Sequence, residues 1–167
     1  MDQDLQGLQT AIASATHGMT ADELMHHPEG KWSTAEVLEH LYLTYVGSVK
    51  GFERCLQEGK PLVRKPLLMD RMRAFVVTGL GYLPEGRQAP ERARPHGMAP
   101  AEVTSAIGPQ IEAMDGVITQ CEDRFGKRTL VLDHPILGPL TARQWRKFHV
   151  VHGRHHIKQI RRLRETA

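Results

Sequence analysis

Apolar residues recur along most of the chain at spacings of three and four, the period of a helix with one buried face. Glycine and proline cut this pattern into segments. The first, residues 2–16, places Leu5, Leu8, Ile12 and Ala15 on one stripe. "TADELM" follows as a short turn of helix, with Thr20 and Glu23 at capping-box spacing. The clearest start is "KWSTAEV". There Ser33 caps, Glu36 reaches back to the Ser33 amide, and Trp32 and Val37 form a hydrophobic staple. That helix carries Leu38, Leu41, Tyr45, Val49, Phe52 and Leu56 on one face and ends near Gly59-Lys60-Pro61.

A third helix is predicted from Pro66 to Gly79 or Gly81. Residues 80–99 hold three prolines and three glycines, a loop long enough to serve as a lid or crossover. Pro100 opens a fourth helix reaching Phe125, which Pro109 should kink or divide by removing a backbone donor. "GKRTLVLDHPILGPL" reads as a connector, with no convincing strand alternation. The last helix begins with a second capping box, Thr141 with Gln144, and a Leu140–Trp145 staple, and runs to about Arg164. The pattern predicts an all-α chain, an antiparallel four-helix bundle with short extra helices and a long Pro/Gly-rich crossover loop. Such a bundle builds its sites between facing helices. A length of 167 residues fits one domain, 1–167.

Composition adds little to this picture, and charge somewhat more. With 40% hydrophobic and 25% charged residues the chain is globular rather than disordered. No apolar run suits export or membrane spanning, and the two cysteines, Cys55 and Cys121, form no motif. The expectation is a cytoplasmic protein with reduced thiols. Residues 141–167 carry eight Lys and Arg against Glu165 alone. Arg143, Arg146, Arg154, Lys158, Arg161 and Arg162 are read as a solvated face suited to a helix C-terminus. Nucleic-acid binding is disfavoured, because no aromatic residue after Trp145 is placed to stack bases.

Candidate chemistry concentrates in "FHVVHGRHHIKQI", residues 148–160, with four histidines. At about 100° per residue, His149, His152 and His156 fall within about 60° of one another, on the stripe of Trp145, Ile160 and Leu163. His155 falls on a flank. His152 and His156, at i and i+4, can clamp one ion, as paired histidines on metal-binding helices do. A pair alone is a weak signal. A third ligand is available in His40, beside Val37 and Thr44 at the edge of the apolar stripe. His26, His27, His96 and His134 are weaker candidates.

"GKWSTAEVLEHL", followed about 110 residues later by "HVVHGRHHIKQI", resembles the DinB-like superfamily of four-helix-bundle metalloproteins. The connector "HPILGPLTARQW" is similar to that of an uncharacterised subgroup. The resemblance covers most of the chain and implies His40, His152 and His156 as metal ligands. His149 is an addition to that pattern, read first as a supporting donor and otherwise as an alternative ligand or core-edge residue. Glu36 and Gln159 are the other candidates to orient the ligands.

Three neutral imidazoles leave open coordination positions, whereas a structural zinc site normally has four protein ligands. Zinc or nickel is expected first, then iron. Imidazole also suits copper, and spacing does not decide among these metals. The resemblance implies either a metal-dependent transferase of low-molecular-weight thiols or a hydrolase, acting on a small-molecule substrate. The alternative is a non-catalytic, stress-related bundle that binds metal or small molecules. Homodimerisation is a further expectation, since helix two carries Leu43 opposite Leu41 and Tyr45.

Overall fold

A computed structural model describes residues 1–84 and 88–166. The chain is mostly helical, with six α-helices and one small hairpin among the described residues. In order these are α1 (Gln3–Thr16), α2 (Ala21–Met25), α3 (Thr34–Glu58), α4 (Leu68–Ala74), α5 (Pro100–Phe125), β1 (Leu130–His134), β2 (Gly138–Thr141) and α6 (Ala142–Arg164). Two helix pairs make the bundle, α3 against α5 and α1 against α6. Between them lies a core that includes Leu5, Leu8, Leu38, Tyr45, Phe52, Ile111, Met114, Ile118 and Ile160, each at most 2% exposed.

The helix starts follow the side chains. Ser33 Oγ accepts the Glu36 amide while the Glu36 carboxylate accepts the Ser33 amide, and Thr141 and Gln144 do the same for α6. Each reciprocal pair satisfies two amides that a helix end leaves without partners. Gly59 ends α3 in the left-handed conformation at φ 68°, which costs glycine no steric penalty.

Several expectations need correction. The connector before α6 is an antiparallel hairpin, so the chain is not purely helical. Its strands are too short for alternation to show, and it is held by contacts distant in sequence. The Leu62 amide donates to the Val131 carbonyl, and the Trp145 indole donates to that of Leu132. Pro109 does not divide α5, which runs unbroken through it. The third predicted helix starts at Leu68 rather than Pro66 and passes into a π-type turn over Phe75–Gly79. Its Leu68, Met72 and Phe75 are exposed rather than buried. Of the loop expected over 80–99, residues 85–87 lie outside the described residues, and Glu91–Ala93 forms one turn of 3-10 helix.

Arg146 also departs from its expected solvated role. It donates to Asp115, Glu122 and Thr119 of α5 at 2.6–2.7 Å, clamping α6 to α5. Its companions Arg143, Arg154, Lys158, Arg161 and Arg162 are exposed, as expected.

Candidate metal centre

His40 lies in α3, and His152 and His156 lie one turn apart in α6, so the centre forms where these two helices face each other. All three side chains are buried, and their ligand atoms lie within 4.8 Å of one another. His152 Nε2 sits 3.2 Å from His40 Nε2 and 3.1 Å from His156 Nε2. For a tetrahedral zinc ion with Zn–N of about 2.0–2.1 Å, adjacent nitrogens should stand about 3.3 Å apart. The two spacings match that requirement closely.

Hydrogen bonds set the tautomers. His40 Nδ1 donates to the Ala93 carbonyl at 2.7 Å, and His156 Nδ1 to Gln159 Oε1 at 3.0 Å. Both neutral rings therefore turn an Nε2 lone pair toward His152 Nε2. A proton on His152 can satisfy only one of them, whereas a cation among the three nitrogens satisfies all. The donor set thus fits a divalent ion, with positions left for other ligands. His152 is the least supported: its Nδ1 is buried without a partner, and its ring stacks on Phe148 at 5.3 Å.

Burial keeps these imidazoles neutral and able to coordinate. Desolvation is the largest cause in each case. It lowers the pKa of His40, with the Ala93 bond acting against it. It takes His156 to about 3, with His40 adding repulsion, and holds His152 well below the ordinary range.

The centre opens on a cavity of about 650 Å³, within the range of small-molecule sites. Leu43 and Val46 of α3, Phe148 of α6, and Ile136 of the hairpin line its wall. Trp32 packs its ring 5.2 Å from that of His40. Among the described residues no helix is long and apolar enough to cross a membrane.

Of the six residues singled out from sequence, four meet at the centre: His40, His152, His156 and Gln159. Glu36 does not reach it, because its carboxylate is committed to the Ser33 amide. His149 does not reach it either. Fully buried, it lies between Tyr45 and Trp145. Ser48 Oγ gives its hydrogen to the Thr44 carbonyl and so accepts from His149 Nε2 at 3.1 Å. His149 is a core histidine, and its pKa is lowered to about 3 by burial and then by His134.

Sequence reasoning missed Ala93 and Glu39. The Glu39 carboxylate, 2% exposed, accepts the amides of His96, Gly97 and Met98 at 2.7–3.0 Å. It thereby ties down the crossover segment that carries Ala93. An acid on the buried side of an amphipathic helix was the available signal. His26, His27 and His96 are exposed.

The fold and the site define a mostly helical, bundle-like protein with a buried three-histidine group suited to hold a metal ion. The chain belongs to the family described as "Protein of unknown function (DUF1569)", whose match covers residues 1–163. Comparisons with the curated proteins and with the solved structures return no match. The buried histidine group is consistent with a metal site of the DinB-like type.

Proposed function

We propose that this protein is a divalent-metal-binding bundle of the DinB-like type, acting as a metal-dependent thiol transferase or hydrolase on a small molecule. The observation that supports this reading is the convergence of three Nε2 atoms at the end of a cavity, with two of the rings tied back through Nδ1. A bound divalent ion would supply Lewis acidity, lowering the pKa of a coordinated water or thiol toward neutrality. His40, His152 and His156 would hold it. Trp32 and Phe148 shield the ligand nitrogens from bulk water, and the Leu43, Val46 and Ile136 wall offers an apolar surface to the substrate. Neither Cys55 nor Cys121 lines the cavity, and both thiols are buried against backbone carbonyls, which argues for a thiol brought in from solution.

The test is elemental analysis of untagged protein, followed by screening the metal-loaded protein with low-molecular-weight thiols and electrophiles or with hydrolysable esters and amides. One divalent ion per chain and turnover that disappears in His156→Ala are expected. Full metal occupancy in a combined His40, His152 and His156 alanine variant would refute the site. Metal without turnover would favour the non-catalytic binder.

A further inference from the structure

His134, at the end of β1, belongs to none of the groups assigned above, yet it lines the same cavity. Its Nδ1 accepts two backbone amides, those of Ile136 and Leu137, each at 3.1 Å. An atom that accepts two N–H groups carries no proton, so the neutral ring bears its hydrogen on Nε2. The hairpin turn therefore fixes the tautomer. Trp145 and Phe148, with ring centroids 5.1 and 4.2 Å away, fix the ring's direction. Nε2 has no partner among the described residues and is not one of the atoms sealed in the core. Phe148 is the ring between His134 and His152, which places this N–H one side chain away from the three-histidine group.

Arg92 lines the cavity too, next in sequence to the Ala93 that accepts from His40, and the pKa of His134 is lowered to about 4 by burial first and the Arg92 charge second. Lys50 and Arg54, the latter paired with Glu58, also contribute to the lining, against a single acid among the described residues, Asp133. Of that carboxylate, Oδ2 accepts the Arg64 amide while Oδ1 is buried without a partner among the described residues, and strand alternation places Asp133 on the opposite face of β1 from His134. The cavity thus has apolar walls, a cationic rim and one fixed neutral donor.

We propose that His134 and Arg92 form an anion-binding subsite of this cavity, which takes a small carboxylate with an apolar body, His134 donating from Nε2 to a carboxylate oxygen. This deepens the function proposed above by naming a class of ligand. It rests on that reading for the cavity but not for the ion. A carboxylate with an apolar body fits the apolar walls, and its two oxygens can be shared between the Arg92 fork and the His134 N–H.

The probe is benzoate, titrated into the full-length protein both as purified and after chelation, with affinity read by calorimetry. Long-range nitrogen spectra of histidine-labelled protein read the tautomer. The expected tautomer is Nε2–H, with a His134 Nε2 resonance that moves and saturates with benzoate. His134→Asn can keep an acceptor for the turn while removing the Nε2 donor. It should weaken benzoate about tenfold, the usual loss for a hydrogen bond to a charged group. Arg92→Met, at an exposed position, should weaken it comparably. The Nδ1–H tautomer, no benzoate binding at millimolar concentration, or affinity indifferent to both substitutions would overturn the subsite. Benzoate that binds only with metal present, and is lost only in His156→Ala, would sit on the ion. That result overturns the subsite and leaves the proposed function standing. Protein purified without metal that still binds benzoate through His134 gives the converse.

Discussion

Gln159 Oε1 accepts the Nδ1–H of His156 at 3.0 Å, the one side-chain hydrogen bond to the Nδ1 of a centre histidine among the described residues. Gln159→Leu removes that acceptor without altering helix propensity much. Loss of such a support typically costs 10- to 100-fold in metal affinity. Competition with a chromophoric chelator should show zinc affinity reduced by about that factor and stoichiometry unchanged. Affinity equal to wild type would mean that the Nδ1 bond does not orient the ligand.

Glu36→Ala should behave in the opposite way. It breaks the capping box of α3 and should cost about 1 kcal/mol of stability, with metal affinity unaffected. Chemical denaturation and the same chelator assay separate the two effects. A large loss of metal affinity with stability intact would restore Glu36 to the site.

Acid should destabilise the metal-free protein before any carboxylate titrates. His149 and His134 are buried as neutral rings, with pKa values lowered to about 3 and about 4. Unfolded, both take up protons near the ordinary histidine pKa of about 6.5. Below that pH the unfolded state binds more protons, so stability is full above about 6.5 and falls as pH drops toward 4. Melting temperatures of chelated protein between pH 8 and pH 4 should show the decline, and His149→Met should make it shallower, with His134 and the three centre histidines still contributing. A melting temperature independent of pH down to 4.5 would show that the rings are accessible to protons in the fold.

Gly153 and Gly7 should respond with opposite signs. A Cβ on Gly153 would collide with the Leu8 side chain, where α6 crosses α1, so Gly153→Ala should cost about 1–3 kcal/mol by overpacking. A Cβ on Gly7 meets nothing within 4 Å, so Gly7→Ala should stabilise α1 by about 0.5–1 kcal/mol. Equal effects of the two substitutions in denaturation curves would contradict the close α1–α6 approach.

The helices and the three ligands were legible because both are written in local spacing. Capping boxes fixed the starts of α3 and α6, and helical periodicity turned His152 and His156 to one face. His40 was the candidate third histidine from its place at the edge of the apolar stripe, and the family pattern fell on the same position. Features that depend on tertiary partners stayed hidden. The strands of the hairpin are four and five residues long and owe their order to Leu62 and Trp145. Glu36 and Glu39 are three positions apart, and sequence favoured the former as the orienting acid. Only the fold shows Glu36 spent on a helix end and Glu39 on the crossover segment. Leu43, read as part of a dimer face, lines the cavity. His149 was chosen for its face, correctly buried, but its height along α6 sets it beside Ser48 rather than at the centre.

The Ala93 carbonyl that orients His40 is borrowed from a segment held in place chiefly by the Glu39 carboxylate. In the metal-loaded protein proposed above, docking of that segment and coordination by His40 are linked equilibria, and each must favour the other by the same free energy. Stripping the ion should loosen the chain around residues 91–98, and undocking it should release the ion. Protease sensitivity there becomes a readout of metal occupancy, and Glu39→Gln, distant from every ligand nitrogen in chemistry if not in sequence, should make the protein a leakier metal holder.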